Sequence, residues 1–177
     1  MKKVLAFSGS NNSSSINRTL VGLAVRHLQN VEDVPLLLSE LHLPLYSLDL
    51  EEQEGFPEGA EQLKSILESV DGIILSSPEH NGSIPAALKN AIDWLSRMQK
   101  PILLDKPILL MSTSPGQNGA STNLEALSKL MPWWGGKLTG TYSLGSFHEH
   151  YLADQDTLSD EEDAKLKQAI MTFEAAL

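Results

Sequence analysis

Cysteine is absent from the 177-residue chain. Without a thiol there is no disulfide, no thiolate-held metal and no cysteine nucleophile, so any redox role has to rest on a bound cofactor. Positive charge is scarce: 13 Lys and Arg against 23 Asp and Glu leave a formal charge of -10. That balance argues against nucleic acid or an anionic membrane as partner, because both demand clustered cations. Long apolar runs are missing too. Stretches such as 34–38 and 108–111 fall far short of the ~18 residues of a spanning helix. The apolar stretch 4–7 after Lys2-Lys3 is shorter than the ~7–15-residue core of a signal peptide. It reads as a buried first strand, and a cytoplasmic protein is expected.

What remains is an ordinary globular composition, 41% hydrophobic and 20% charged, in a length that suits one domain over 1–177 burying roughly 70% of its unfolded surface. Short apolar runs alternate with helical periodicity. Strands are expected at 4–8, 33–39, 72–76, 107–113 and 137–144. A helix is expected at 16–28, with Leu20, Leu23, Ala24 and Leu28 inward. Another opens at Pro57-Glu58 with Leu63, Ile66, Leu67 and Val70 inward, and a third at Pro85 with Leu88, Ala91, Ile92 and Leu95 inward. Further helices are expected near 123–131 and after Ser159, where Glu162 three residues on completes a capping box. Segment 43–59, rich in proline and acid, reads as a surface connection. Such alternation specifies an α/β protein, a parallel sheet with helices on both faces. Ligands of these sheets bind at the carboxyl ends of the strands, which narrows the functional question to the loops after strands one, three and four.

The first of these loops reads Gly9-Ser10-Asn11-Asn12-Ser13-Ser14-Ser15-Ile16-Asn17. Small residues let the backbone curl, hydroxyls of Ser10, Ser13 and Ser15 can donate, and a helix N-terminus adds partial positive charge, so the loop is either a phosphate cradle or a serine-capped turn. It is neither a P-loop nor a GxGxxG fingerprint. The second loop, Ser76-Ser77-Pro78-Glu79-His80-Asn81-Gly82-Ser83-Ile84-Pro85, could present amides and Asn81 to the edge of a planar heterocycle, with His80 against the ring. Equally, Asn81-Gly82 is a common turn pair and His80 an exposed loop residue. No GxSxG is present, which speaks against a serine hydrolase.

These two loops together, with SPEHNGSIPAALKNAIDWLSR as the longer motif, resemble the NADPH-dependent FMN reductase family over residues 3–145. The resemblance implies a flavodoxin-like three-layer sandwich with strand order 2-1-3-4-5. It implies FMN as cofactor, NADPH or NADH as co-substrate, and a small-molecule acceptor of the quinone, azo, flavin or metal-ion kind. A non-catalytic flavodoxin-like electron carrier is the rival reading, which the acidity suits but the second motif does not. Carried over by position, Ser10, Asn12, Ser15, Ile16 and Asn17 would hold the FMN phosphate. Pro78, Glu79, His80, Asn81 and Gly82 would line the isoalloxazine, and the segment from Ser112 to Gly116 would add a third contact. The family's His80 position is usually tyrosine. The helix around Lys89 to Trp94 resembles one used in dimer packing, so a homodimer or homotetramer is implied. One departure stands out: the family's first loop commonly reads GS-x-R-x-x-S, and the arginine position here is Asn12. The lost cation implies FMN binding about ten-fold weaker, with Arg18 as the available substitute. No metal is implied. His148 and His150 read as part of a polar loop, Trp133-Trp134 as helix-end packing, and the acids at 154–163 as a solvated helix start.

Overall fold

An apolar run of five residues is too short for a helix and must be covered on both sides, which makes it the centre of a parallel sheet. The computed structural model, which describes residues 1–177, has this arrangement. Strands β1 (Lys2–Ser8), β2 (Val31–Leu36), β3 (Gly72–Ser76), β4 (Lys106–Thr113) and β5 (Gly136–Leu144) pair in parallel in the order β2-β1-β3-β4-β5. All five residues of β3 are buried. The order reverses beside β1, the flavodoxin-like pattern whose switch point opens a crevice.

Side chains alternate between two apolar layers. Leu5, Phe7, Ile73, Leu75, Ile108 and Leu110 face helices α3 (Glu58–Ser69), α4 (Ala86–Met98) and α5 (Ser121–Leu130). Val4, Ala6, Ile74, Leu109 and Met111 face α1 (Ile16–Val25) and α7 (Asp160–Glu174). The expected inward residues Leu63, Leu67, Leu88, Ala91, Ile92 and Leu95 are buried. No helix is long and apolar enough to cross a membrane.

Four boundaries differ from expectation, each for a physical reason. Helix α1 stops at Val25 because its last turn tightens (His27 and Leu28 donate three residues back, to Ala24 and Val25) and Asn30 turns left-handed. Strand β2 lies at Val31–Leu36, two residues early, because it takes its register from β1, Lys2 opposite Val31 through Phe7 opposite Leu36. The leucines at 38 and 41 instead fill the core from a 3-10 turn. Segment 43–59 contains a helix, α2 (Leu48–Glu54), capped by Ser47 Oγ accepting from the Leu50 amide.

At α7 no capping box forms. The Glu162 carboxylate accepts instead from the Tyr142 hydroxyl at 3.0 Å and from Lys165 at 2.7 Å, and Ser159 Oγ faces His150 Nδ1 at 3.3 Å. Four acids in the first turn of α7 complement its dipole without the box. Burial and the Glu162 carboxylate push the Tyr142 phenol well above its ordinary pKa. A short helix, α6 (Phe147–His150), and a small hairpin of β6 (Tyr151–Leu152) and β7 (Thr157–Leu158) fill the stretch before α7.

Candidate functional site

Strands β1, β3 and β4 end side by side at Ser8, Ser76 and Thr113, and one buried side chain ties the ends of β3 and β4 to α1. Asn17, 1% exposed, donates from Nδ2 to the Thr113 carbonyl at 3.0 Å. Its Oδ1 accepts from the Thr113 amide at 3.1 Å and from the Ser76 hydroxyl at 2.8 Å. An amide side chain suits this place because it offers donor and acceptor from one planar group. Asn17 is therefore the joint of the site, with its polar atoms directed at the strands.

The loop between β1 and α1 closes largely on itself. Ser10 Oγ accepts from the Asn12 amide at 3.1 Å, Asn12 Oδ1 from the Ser14 amide at 2.9 Å, and Ser15 Oγ from the Asn17 amide at 3.2 Å. The amides of Asn11, Ser13 and Ile16 donate to no protein group. Hydroxyl protons of Ser10 and Ser15 remain available as well, since these oxygens act only as acceptors. Arg18 is no substitute cation in the cleft: Nη1 donates to the Ser13 carbonyl at 3.1 Å, and the side chain borders a separate groove beside Asp33 and Glu40.

After β3 the chain makes a two-residue hairpin turn. His80 and Ser83 exchange both backbone hydrogen bonds, at 3.0 and 3.1 Å, and Asn81 and Gly82 have φ of 52° and 74°. Left-handed conformations at both positions favour Asn-Gly, so the local turn reading accounts for this pair. The loop is pinned to α5. Ala120 at that helix's N-cap has no polar side chain, and the Glu79 carboxylate accepts the Asn123 amide at 3.0 Å in its place. Asn123 Nδ2 returns bonds to the Pro78 carbonyl at 2.6 Å and Ser77 Oγ at 3.0 Å.

The third loop is braced against the end of β5. Ser112 Oγ donates to the Gly119 carbonyl at 2.6 Å, and the Ser146 amide to the Gly116 carbonyl at 2.8 Å. Gly145 permits this approach, for a Cβ there would lie 2.2 Å from the Gln117 carbonyl oxygen.

The three loops enclose an open cleft of about 300 Å³. Of the residues expected to bind, Ser10, Asn12, Ser15, Ile16 and Asn17 line it from the first loop, and Pro78, Glu79 and His80 from the second. Asn81, Gly82, Ser112 and Gly116 do not; the first two form the turn and Ser112 is spent on Gly119. Ser14, Thr113, Ser114 and Pro115 line it in addition. No lysine or arginine lines the cleft, so its polarity comes from neutral donors, the Glu79 carboxylate and the N-terminal end of α1.

Residues 2–149 match a family described as NADPH-dependent FMN reductase. The chain belongs to that family. Among its relatives, a quinone reductase of Escherichia coli is 37% identical over 123 residues, covering 67% of this chain and 63% of that protein. An NAD(P)H-dependent FMN reductase of Pseudomonas aeruginosa is 32% identical over 120 residues, again 67% and 63%. The matched part is thus less than two thirds of the length of these curated relatives. The solved structure of FerB, a flavoenzyme NAD(P)H:(acceptor) oxidoreductase of Paracoccus denitrificans, superimposes with a TM-score of 0.80 at 29% identity, covering 99% of this chain and 97% of that one.

Other residues singled out in the sequence lie elsewhere in this FMN reductase family member. Trp94 is fully buried inside its own chain, donating from Nε1 to the Pro44 carbonyl at 2.8 Å, and so is not available for dimer packing. Trp134 joins the core while Trp133 is 86% exposed. Both precede β5, at the end of the sheet opposite the cleft. His148 and His150 belong to α6 and do not line the cleft, and no cluster of three metal-ligating side chains forms anywhere in the chain. Asn123 was missed by sequence reasoning, although an asparagine inside a helix's first turn, with no capping task of its own, is a usable signal.

Proposed function

We propose that residues 1–177 form a single FMN-binding domain of a cytoplasmic enzyme that oxidises NADH or NADPH and reduces a small acceptor of the quinone, azo, flavin or metal-ion class. The observation that carries this reading is the cleft at the carboxyl ends of β1, β3 and β4 in a chain of the FMN reductase family. The donor set suits the cofactor. Free amides and hydroxyls at the start of a ten-residue helix are the groups a phosphate monoester accepts from. The segments beyond them, Pro78 to His80 and Thr113 to Pro115, offer backbone edges for a planar ring. When bound, FMN supplies the hydride-accepting and electron-passing chemistry. Within the cleft, Ser10, Ser15 and the Ile16 amide would hold the phosphate, while Pro78, Glu79 and His80 would line the ring. Asn17 would keep the two groups in register from below.

The test is an FMN titration followed by steady-state NAD(P)H oxidation with a quinone. Absence of flavin binding sinks the reading. Binding without turnover leaves the electron carrier. Asn12→Arg gives a finer check. A guanidinium on the phosphate contributes about 1.5–3 kcal/mol, and the lost Asn12–Ser14 turn bond costs about 1, so FMN affinity rises roughly ten-fold. The gain fades at high salt. An affinity that ignores salt places Asn12 away from the phosphate.

Assembly as a homodimer or homotetramer belongs to the same proposal. Leu45, Leu48 and Phe56, 81%, 52% and 39% exposed, supply apolar surface in one connection that a second copy would cover. Sedimentation as a monomer at micromolar concentration removes this part.

A further inference from the structure

Reducing a quinone by two electrons also takes protons, and the cleft's lining contains two ionisable side chains, Glu79 and His80. Glu79 is committed to the Asn123 amide at the start of α5. His80 is arranged differently. Its backbone N–H and C=O are both spent on Ser83, which fixes the turn, while its imidazole lines the cleft on an exposed residue and has no hydrogen-bond partner in the protein. The facing segments 10–17 and 112–118 carry no charged side chain. The nearest cation in sequence to the first of them, Arg18, is held by the Ser13 carbonyl and borders another groove. Of the two ionisable side chains that line the cleft, His80 is thus the one without a protein partner.

We propose that His80 donates the second proton to the acceptor, a role that rests on the FMN-dependent reading above. A benzoquinone that receives a hydride on one oxygen gains two electrons and one hydrogen, and its other oxygen becomes a phenolate. The His80 imidazolium transfers its N–H proton to that phenolate, giving the hydroquinone and a neutral imidazole, which recovers a proton from water. An imidazolium is ordinarily a stronger acid than a phenol, so the transfer runs downhill. General acids contribute roughly 10²–10⁴-fold. Water reaches an open cleft and competes, which brings the effect here below that range, to about ten-fold.

The experiment compares FMN-loaded wild type and His80→Gln with benzoquinone and with ferricyanide, which takes one electron and no proton. Turnover is followed between about pH 5 and 8, the range in which histidine changes charge. In the wild type the ratio of quinone to ferricyanide turnover falls as pH rises through the histidine range. His80→Gln lowers that ratio at least about ten-fold at acid pH and flattens its pH dependence, and added imidazole restores part of it. A readout independent of turnover is the His80 C2–H resonance, identified by its absence in His80→Gln: it moves when FMN is added and its titration shifts when hydroquinone is added. The turn's bonds are backbone bonds, so the variant folds. Equal losses with both acceptors, a pH-independent ratio, or a resonance that FMN leaves unmoved each overturn the proposal. Wild-type protein that binds no FMN overturns the reading beneath it instead.

Discussion

Asn17→Ala is expected to lower the melting temperature by about 6–12 °C and FMN affinity by more than ten-fold. The alanine leaves three groups without their partner at the junction of β3, β4 and α1: the Thr113 carbonyl, the Thr113 amide and the Ser76 hydroxyl. A buried polar group left unpaired costs about 1–3 kcal/mol. Because the cleft lies alongside and water can enter, the low end applies, about 3 kcal/mol in total. A chain of this size loses about 2–4 °C per kcal/mol. Affinity falls because the phosphate-facing loop loses its attachment to the strand ends. Asn17→Asp separates the two effects. A carboxylate still accepts from Ser76 and from the Thr113 amide, but it turns an oxygen on the Thr113 carbonyl and puts negative charge under the phosphate. FMN affinity of the aspartate variant therefore falls as pH rises through the ionisation of that carboxyl, whereas the alanine variant is weak at all pH values. Calorimetry and flavin fluorescence titration read both. A shift below about 2 °C for Asn17→Ala would mean that other contacts hold the strand ends together.

What the sequence made legible was what adjacent residues decide. Strand β3 falls where expected because Ile73, Ile74 and Leu75 form an unbroken apolar run that is covered on both faces. Helix α4 starts after Pro85 as expected, because proline fixes φ and removes a donor that the first turn does not use. Asn81-Gly82 makes its turn from local chemistry alone. What stayed hidden is what a distant partner decides. Glu162 has the spacing of a capping box, yet Tyr142, twenty residues earlier, captures its carboxylate. Asn17 reads as a phosphate ligand by position, and only the fold brings it to Ser76 and Thr113, 59 and 96 residues away. Helix α2 buries none of its residues, so it has no apolar stripe to detect. The same division runs through the site. Which loops meet was legible from strand alternation, but which atoms in them stay free depends on bonds between loops.

Trp94→Ala is expected to be the most destabilising of the substitutions considered, by about 3–5 kcal/mol for loss of a buried aromatic, or roughly 6–20 °C in melting temperature. Trp94 does more than fill volume. Its Nε1 holds the Pro44 carbonyl at 2.8 Å, and its ring meets Tyr46 edge to face at 5.1 Å. Tyr46 in turn donates to Glu51 at 3.0 Å, and Arg97 of α4 donates to the same carboxylate oxygen at 2.8 Å. The Arg97 guanidinium holds the Glu51 carboxyl below its ordinary pKa, while desolvation and Glu51 raise that of Tyr46. With Arg97 half-exposed, that ion pair contributes little alone, and segment 43–59 is fastened to α4 by Trp94 together with Asn90, whose side chain bonds the Tyr46 amide and the Pro44 carbonyl. Trp94→Phe keeps most of the ring and loses the N–H. The Pro44 carbonyl retains Asn90 Nδ2 at 2.9 Å, so this variant costs only about 1–2 kcal/mol. The alanine variant should also open the connection locally before the whole chain unfolds, giving faster cleavage by a glutamate-specific protease at Glu51 to Glu58. No residue of 43–59 lines the cleft. FMN affinity measured well below the lowered melting temperature therefore stays near the wild-type value. A collapse of affinity alongside stability would instead mean that the connection and the cleft unfold as one unit.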